Sequence, residues 1–293
     1  MTQPLTWIAA ALVALAVPAA AQEGATSAAP KPVVTVSKDV EYGTAAGESL
    51  KLDLYLPAEP ATKPRPALLF VHGGGWCEGD KSGTADRARQ MAELGYVVAA
   101  INYRLAPKHP YPAAVEDCWT ALKWLREHAE EYQLNPAKIG AQGESAGGHL
   151  VTMLGLGAGA KGGDPLQTRP ACVADFYGRT DLSLDQTPGT WEDYRQRFIG
   201  KTRAQAPDLY REASPLSHVD SKACPFLILQ GSRDQQVVPE HSTKLFAALD
   251  KAGVETSLMM VAGAGHGFGN GAADQAWATT CAFFARHLGG RAQ

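Results

Sequence analysis

Hydrophobic residues recur along the chain in two alternating patterns. Every second residue from 50 to 56 is leucine, which predicts a half-buried strand, whereas the run 67–71 is apolar throughout and predicts a strand buried on both faces. Over residues 114–125 the apolar positions recur at helical spacing. Further strands are predicted at 97–101, 139–142, 171–177, 226–230 and 256–261, and further helices at 86–94, 146–156, 239–252 and 273–287. The alternation predicts one α/β domain, with a mostly parallel sheet covered by helices on both faces.

One stretch, residues 182–217, interrupts this alternation and is called the cap segment below. Trp191, Tyr194 and Phe198 are spaced to lie on one face of a short helix. Insertions of this length in a compact domain are often lids. Two interpretations stay open: the aromatic side chains dock the segment on the main domain, or they line a substrate pocket under a small cap. Trp76 is a further candidate for the wall of that pocket.

The N-terminal stretch that ends at Ala21 resembles a secretory signal peptide. Residues 5–17 are apolar except for Thr6, and the small residues Pro18-Ala19-Ala20-Ala21 follow. This apolar run is too short to span a bilayer but is typical of the hydrophobic part of a signal peptide, although no Lys or Arg precedes it. A buried N-terminal helix is the alternative. We expect cleavage after Ala21, a flexible linker over residues 22–38, a main domain over residues 39–293, and a periplasmic or secreted protein.

Composition narrows the class of protein. Hydrophobic residues make up 45% of the 293 positions, and 27 Lys and Arg against 30 Asp and Glu give a net charge of −3. Because no basic surface is indicated, a nucleic-acid partner is not expected, and no later stretch is apolar enough for a membrane span. The five cysteines lack a CxxC spacing, so neither a metal nor another cofactor is expected. In an oxidising compartment they would allow one or two disulfides.

The strongest chemical signal is the run Gly143-Glu144-Ser145-Ala146-Gly147-Gly148, between a predicted strand and a predicted helix. A strand that turns sharply into a helix lifts the serine hydroxyl above the sheet edge, and the flanking glycines leave room for the turn. The helix N-terminus beneath it stabilises negative charge. Ser145 is therefore the candidate nucleophile, and a glycine-rich packing turn is the alternative.

Three consecutive glycines follow the predicted strand 67–71, in the run His72-Gly73-Gly74-Gly75-Trp76. Glycines can direct backbone N–H groups into a cavity without interference from side chains, and acyl transfer needs such donors where the oxyanion forms. Gly74, Gly75 and Ala146 are therefore candidate donors. A phosphate-binding loop is disfavoured because no GK[ST] follows. His72 is expected to form structural hydrogen bonds.

A nucleophilic serine needs a base and an acid that orients the base. His266 follows the predicted strand 256–261 and Asp234 follows the strand 226–230, so both are expected at the carboxyl edge of the sheet, where open α/β proteins bind ligands. Asp220 is the rival acid, but it precedes its strand and would lie at the opposite edge. The other histidines beyond the elbow are His218, which precedes both acids, and His241 and His287, which we expect at the surface.

Together with Tyr103-Arg104-Leu105-Ala106-Pro107 and Tyr111-Pro112-Ala113, these motifs resemble the α/β-hydrolase superfamily, more narrowly the esterase/lipase group related to hormone-sensitive lipase. The resemblance runs from about residue 40 to the C-terminal helix. It implies Ser145 as nucleophile, Asp234 as acid, His266 as base, and Gly74, Gly75 and Ala146 as oxyanion-hole donors. The expected β-structure over residues 40–56, in place of a helical cap, is more similar to secreted acetylxylan and feruloyl esterases.

These observations lead us to expect an exported serine carboxylesterase for short acyl or aryl esters, with acetyl or feruloyl esters of carbohydrates as candidates. An amide- or peptide-bond hydrolase with the same triad is one alternative. A non-catalytic binding module on the same fold is another. Arg104 could bind an anionic substrate, but a structural ion pair is favoured at this position after the predicted strand 97–101, and Asp117 in the helix that follows is a possible partner.

Overall fold

The fold is built on one twisted sheet. A computed structural model describes residues 33–159, 169–184, 190–269 and 271–289, and only the backbone of residues 190 and 191. Within these ranges the strands are β1 (Val34–Ala45), β2 (Glu48–Pro57), β3 (Arg65–Val71), β4 (Val97–Ile101), β5 (Leu134–Glu144), β6 (Val173–Phe176), β7 (Phe226–Gly231) and β8 (Thr256–Val261). The helices are α1 (Ala85–Glu93), α2 (Ala113–Glu127), α3 (Ala146–Leu156), α4 (Thr190–Ile199), α5 (Pro207–Glu212), α6 (Glu240–Lys251) and α7 (Ala272–Leu288).

The strand order is β1-β2-β4-β3-β5-β6-β7-β8. Only the pairs β1·β2 and β2·β4 are antiparallel among the described strands, which confirms the predicted mostly parallel sheet. Val71 pairs with Gly143, and Glu144 pairs with Phe176. The loops that follow β3, β5 and β6 therefore begin side by side at one edge.

Helices cover both faces of the sheet because successive strand residues point to opposite sides. Leu69 belongs to the core cluster that includes residues of α2, α3 and α6. Its neighbours Leu68 and Phe70 belong to a second cluster, with residues of α1 and α7. Both clusters are buried, so the continuous apolar run in β3 indicates a central strand, as expected. None of the described helices is long and apolar enough to cross a membrane.

The main domain begins earlier than the sequence pattern predicts. β1 starts at Val34, inside the stretch 22–38 that was expected to be a linker, so the boundary at residue 39 is wrong. Residues from Val34 to Ser37 pair with the end of β2, where Val34 lies opposite Pro57. Polar residues alternate with apolar ones in this edge strand, so its hydrophobic pattern predicts a strand only weakly. The strand forms through its pairing with β2. The predicted signal peptide lies outside the described residues.

The five cysteines are all thiols. Four of them are buried and Cys77 is half-buried. The one or two disulfides that the sequence would allow are therefore not formed in this structure.

The cap segment packs against the main domain through α4, α5 and a short 3₁₀ turn at Pro215–His218. Tyr111 N donates to Phe198 O at 2.7 Å, and Leu216 N donates to Thr180 O at 2.8 Å. The Phe198 ring stacks on Trp76 with 4.4 Å between centroids. Docking on the main domain, the first of the two interpretations above, therefore applies to Phe198.

Arg104 forms the expected ion pair with Asp117. Its Nη2 lies 2.7 Å from Asp117 Oδ1, and its backbone N donates to Asp117 Oδ2 at 2.8 Å. The Asp117 carboxylate is 1% exposed and belongs to α2. The pair therefore attaches the loop after β4 to α2, which leaves the guanidinium in a structural role.

Replacing Asp117 tests this attachment. Asp117→Asn should lower the free energy of unfolding by about 3–5 kcal/mol, because it removes the buried, close counter-charge of the Arg104 guanidinium and leaves only the more distant Glu116 carboxylate. Urea denaturation measures the change. Glu116→Gln is the matched control, since that carboxylate is 42% exposed and 3.5 Å from the same guanidinium. It should cost less than about 1 kcal/mol. Equal losses for the two variants would contradict a structural role for the buried pair.

Candidate active site

Ser145 lies on a sharp turn between β5 and α3, as the sequence predicts. Its backbone has φ 54° and ψ −115°, which is rare for a residue with a side chain. Ser145 N donates to Phe176 O at 2.9 Å, and Ser145 O accepts from His149 N at 3.0 Å. These two bonds fix the turn from the strand side and from the helix side.

Glycines allow the helix to approach the sheet this closely. A Cβ on Gly147 would lie 2.1 Å from Val71 O, and a Cβ on Gly143 would lie 2.2 Å from Gly147 O. No side chain fits at these distances. The strained serine therefore stands where β3, β5 and α3 meet, and strain of this kind costs on the order of 1–3 kcal/mol and concentrates at functional sites.

Asp234 and His266 meet at the same edge of the sheet. His266 Nδ1 lies 2.7 Å from Asp234 Oδ2. Asp234 Oδ1 accepts from the backbone N–H groups of Gln236 (2.8 Å) and Val237 (2.9 Å). Burial raises the pKa of Asp234, but the hydrogen bonds from His266 and Val237 outweigh it and hold that pKa below its usual value. The ionised carboxylate fixes the hydrogen on Nδ1, which leaves Nε2 as the acceptor.

The rival acid, Asp220, is not part of this arrangement. It lies 3.5 Å from Arg169, and its side chain is 48% exposed. Asp234 follows β7 and Asp220 precedes it. The sequence pattern shows this difference in position, which distinguishes the two acids.

Ser145 and His266 line one cavity of about 310 Å³. Its other lining residues are polar, aromatic or glycine: Gly73, Gly74, Gly75, Glu78, Glu144, Tyr177 and Gln236. They come from the loops after β3, β5, β6, β7 and β8. Among the described residues that line the cavity, none has an aliphatic side chain.

The glycine loop after β3 presents free amides beside Ser145. Cys77 N and Glu78 N both donate to Gly74 O at 3.0 Å, which closes the loop. Within the described part of the chain, neither Gly74 N nor Gly75 N donates a backbone hydrogen bond. The first amides of α3, beginning with Ala146 N, also lack intrahelical partners. These donors could stabilise an oxyanion formed at the serine.

His72 has the structural role that we expected. Its Nδ1 lies 2.7 Å from Gly73 O, and its ring stacks on Tyr103 at 4.3 Å. Tyr103 Oη donates to His72 O at 3.1 Å. Burial lowers the pKa of His72, so the neutral ring supports the start of the glycine loop.

The predicted pocket residues lie in different places. Trp76 and Phe198 are both 1% exposed and do not line the cavity, so their assignment to its wall is wrong. Tyr194 lies over Gly75 and donates from its hydroxyl to Glu78 Oε1 at 2.9 Å, at the cavity rim. The Trp191 side chain lies outside the described residues. Helical spacing shows which residues share one face of a helix. It does not show which of them lie at the cavity.

Five lining residues were not among the predicted site residues: Gly73, Glu78, Glu144, Tyr177 and Gln236. The Tyr177 ring lies 4.5 Å from the His266 ring, and its hydroxyl donates to Glu144 Oε2 at 3.3 Å. Burial raises the pKa of Glu144. The position of Tyr177 directly after β6 is the sequence signal that could have found it.

Two histidines predicted at the surface are not there. His241 is fully buried, and its Nδ1 accepts from Thr180 N (3.2 Å) and Asp181 N (3.3 Å). The loop after β6 folds over the start of α6 and covers this ring. His287 is half-buried and packs against Phe283 at 4.5 Å. His218 lies against its own segment, with Nε2 2.6 Å from Glu212 O.

Asp175 is a fully buried carboxyl group beside the helix that carries Ser145. Its Oδ1 accepts from Gly178 N at 2.8 Å and packs against Gly148 of α3. Burial raises its pKa from 3.8 to about 7. Between these two values the folded protein holds a proton that the unfolded chain has lost. The contribution of Asp175 to stability is therefore greatest at low pH and disappears as the pH rises through about 7.

Asp175→Asn should remove this pH dependence. The neutral isostere lacks this ionisation, so its free energy of unfolding relative to that of the native protein should rise between pH 5 and pH 8, and at pH 8 it should be more stable than the native protein by at least about 1 kcal/mol. Urea denaturation at both pH values measures this. Asp208→Asn, at a side chain that is 83% exposed, is the control and should leave the native pH dependence. An unchanged pH profile for Asp175→Asn would contradict the buried ionisation.

Comparisons with known proteins show the family of this chain. The BD-FAE family model matches residues 52–249. Esterase LipC of Mycobacterium tuberculosis is 34% identical over 74% of this chain and 56% of its own length, and esterase LipQ of the same organism is 32% identical over 75% and 54%. The chain thus spans about half the length of these curated relatives.

Solved structures cover more of the chain. A truncated carbohydrate esterase from gut microbiota matches with a TM-score of 0.75 and 26% identity, over 88% of this chain and 98% of that one. The esterase Est2 of Thermogutta terrifontis, with butyrate bound, matches with a TM-score of 0.72 and 27% identity, over 88% and 94%. As the motifs implied, the chain has the α/β-hydrolase fold and belongs to the BD-FAE family.

Proposed function

We propose that this protein is a serine carboxylesterase that hydrolyses esters of short acyl groups through an acyl-enzyme. One observation carries the proposal: a serine on a strained elbow and a histidine bound to a buried carboxylate line the same cavity. The relatives and structural neighbours that are named as esterases support it.

In this mechanism Ser145 Oγ attacks the ester carbonyl while His266 Nε2 takes its proton. Asp234 keeps the imidazole in the required tautomer and stabilises the imidazolium. The amides of Gly74, Gly75 and Ala146 bind the oxyanion. His266 then protonates the alcohol as it leaves, and water hydrolyses the acyl-enzyme by the same steps.

The cavity wall supports short acyl groups. Each buried CH₂ contributes about 0.8 kcal/mol only where an apolar surface receives it. The described lining residues provide glycine backbone, two carboxylates, an amide, a phenol and an imidazole. A long alkyl chain would meet no aliphatic side chain among these residues and would therefore gain little free energy of binding. The butyrate-bound structure of Est2 is consistent with a short acyl group.

The same wall supports a hydroxyl-rich alcohol. Glu78 lies at the exposed rim and Gln236 on the opposite loop, and both side chains can accept hydrogen bonds from sugar hydroxyls. We therefore include acetyl and feruloyl esters of carbohydrates in the proposed substrate class. The structural neighbour named as a carbohydrate esterase supports this choice.

Initial rates test the proposal. On p-nitrophenyl esters, kcat/KM for the acetate and butyrate should exceed that for the octanoate by at least about tenfold, because the described lining residues offer the longer chain no aliphatic side chain. Ser145→Ala should lower kcat by at least about 10⁴-fold. Ser217→Ala, at an exposed position, serves as the folding and handling control. Methyl ferulate then tests the feruloyl group, and acetylated xylan tests the carbohydrate alcohol.

Four outcomes would contradict parts of the proposal. Turnover that does not depend on Ser145 would overturn the mechanism. Preference for the octanoate would overturn the acyl class. Equal turnover of a matched anilide would favour the amide hydrolase, and failure of a fluorophosphonate to label Ser145 would favour the non-catalytic binding module.

We also propose that the chain is exported and loses residues 1–21. The apolar run 5–17 and the small residues that follow it support this. When the full chain is expressed in a bacterium, N-terminal sequencing of the periplasmic protein should begin at Gln22. Leu12→Arg, which interrupts the apolar run, should keep the protein in the cytoplasm. Native protein that stays cytoplasmic and keeps the stretch up to Ala21 would disprove export.

A further inference from the structure

Trp76 directly follows the glycine loop and is held in a strained conformation. Its φ is 61°, in the left-handed region, and its indole is buried. For a bulky residue this conformation is strained and persists only where the surroundings enforce it. Because Gly75 is the preceding residue, whatever fixes Trp76 also fixes the direction of the loop amides.

A buried histidine holds the indole. Trp76 Nε1 donates to His149 Nδ1 at 3.1 Å, and His149 Nε2 lies 2.8 Å from Ala213 O. A carbonyl oxygen can only accept, so the hydrogen of the neutral imidazole is on Nε2, and Nδ1 offers its lone pair to the indole. Burial lowers the pKa of His149 to about 4, so the ring is neutral at pH 7. This neutral charge state agrees with the hydrogen bonds of the ring, in which Nε2 donates and Nδ1 accepts.

The histidine connects three parts of the molecule. It belongs to the first turns of α3, where its backbone N donates to Ser145 O at 3.0 Å. Its side chain reaches the glycine loop through Trp76 and the cap segment through Ala213. Phe198, also of the cap segment, stacks on the indole at 4.4 Å and meets the imidazole edge-on at 5.5 Å.

We propose that His149 is a positioning residue, which accepts the Trp76 N–H and thereby holds the Gly74 and Gly75 amides towards Ser145. The cap segment takes part through the Ala213 carbonyl and the Phe198 ring. The kinetic part of this inference rests on the proposed esterase function. Oxyanion donors act mainly on the transition state, so loosening them lowers kcat more than it changes KM.

Trp76→Phe is the sharpest test, because it keeps an aromatic ring against Phe198 and removes the N–H donor together with part of the indole, a truncation that the control variant below shares. With p-nitrophenyl acetate, kcat should fall 10- to 100-fold while KM changes less than threefold. Amide hydrogen exchange of residues 73–79, followed by mass spectrometry, should become at least tenfold faster. Trp119→Phe is the matched control. It removes an indole hydrogen bond to Ala158 O (2.9 Å) at a residue that does not line the cavity, and it should leave kcat and loop exchange unchanged.

Variants of His149 test the acceptor. His149→Gln carries a carbonyl and an amide that can replace both ring nitrogens, and it should keep more than a tenth of native kcat. His149→Leu should lose kcat as Trp76→Phe does. In the double variant the two losses should not multiply, because both remove the same hydrogen bond.

The outcomes separate the two proposals. Native kcat and native loop exchange in Trp76→Phe would overturn the positioning role, as would a loss that the Trp119→Phe control shares. A change in KM alone would overturn it too. If the native protein hydrolyses no ester and a fluorophosphonate does not label Ser145, the proposed function fails. Loop exchange in Trp76→Phe then still decides whether His149 holds the loop.

Discussion

The contact between the start of α3 and the end of β3 is the constraint on which the site depends. Gly147 lies so close to Val71 O that no side chain can stand there. This contact places the helix N-terminus directly under Ser145 and forces the serine into its left-handed conformation. The same edge receives the loops from β7 and β8, so His266, bound to its carboxylate, lines the same cavity as the serine without any long excursion of the chain.

Around this edge the molecule separates two kinds of environment. Among the described residues, no aliphatic side chain lines the cavity, and its ionisable residues are paired or exposed to its space. Directly behind the glycine loop lies an aromatic layer of Trp76, Phe198 and the neutral ring of His149. Rigid aromatic packing behind a flexible glycine loop gives the loop one conformation, which glycine alone would not provide, because glycine has little conformational preference.

The sequence predicts those residues of the site that directly follow a strand of the parallel sheet. It misplaces residues whose position depends on contacts between distant segments. Ser145, Asp234 and His266 each follow a recognisable strand, and carboxyl ends of parallel strands share an edge. Trp76 and Phe198 were assigned to the cavity wall because they are aromatic and near a motif, but the structure packs them against each other. His241 was expected at the surface because it starts a helix after a proline. A loop distant in sequence covers it.

The sequence by itself determined the alternation of strands and helices, and with it the parallel sheet and the edge at which the chemistry gathers. These properties follow from local periodicity and from the direction of each strand. Only the tertiary structure decided where the main domain begins, which aromatic side chains face the cavity, and that His149 joins Trp76 to Ala213. Those contacts join segments that are far apart along the chain, and hydrophobic spacing carries no information about which distant segments meet in space.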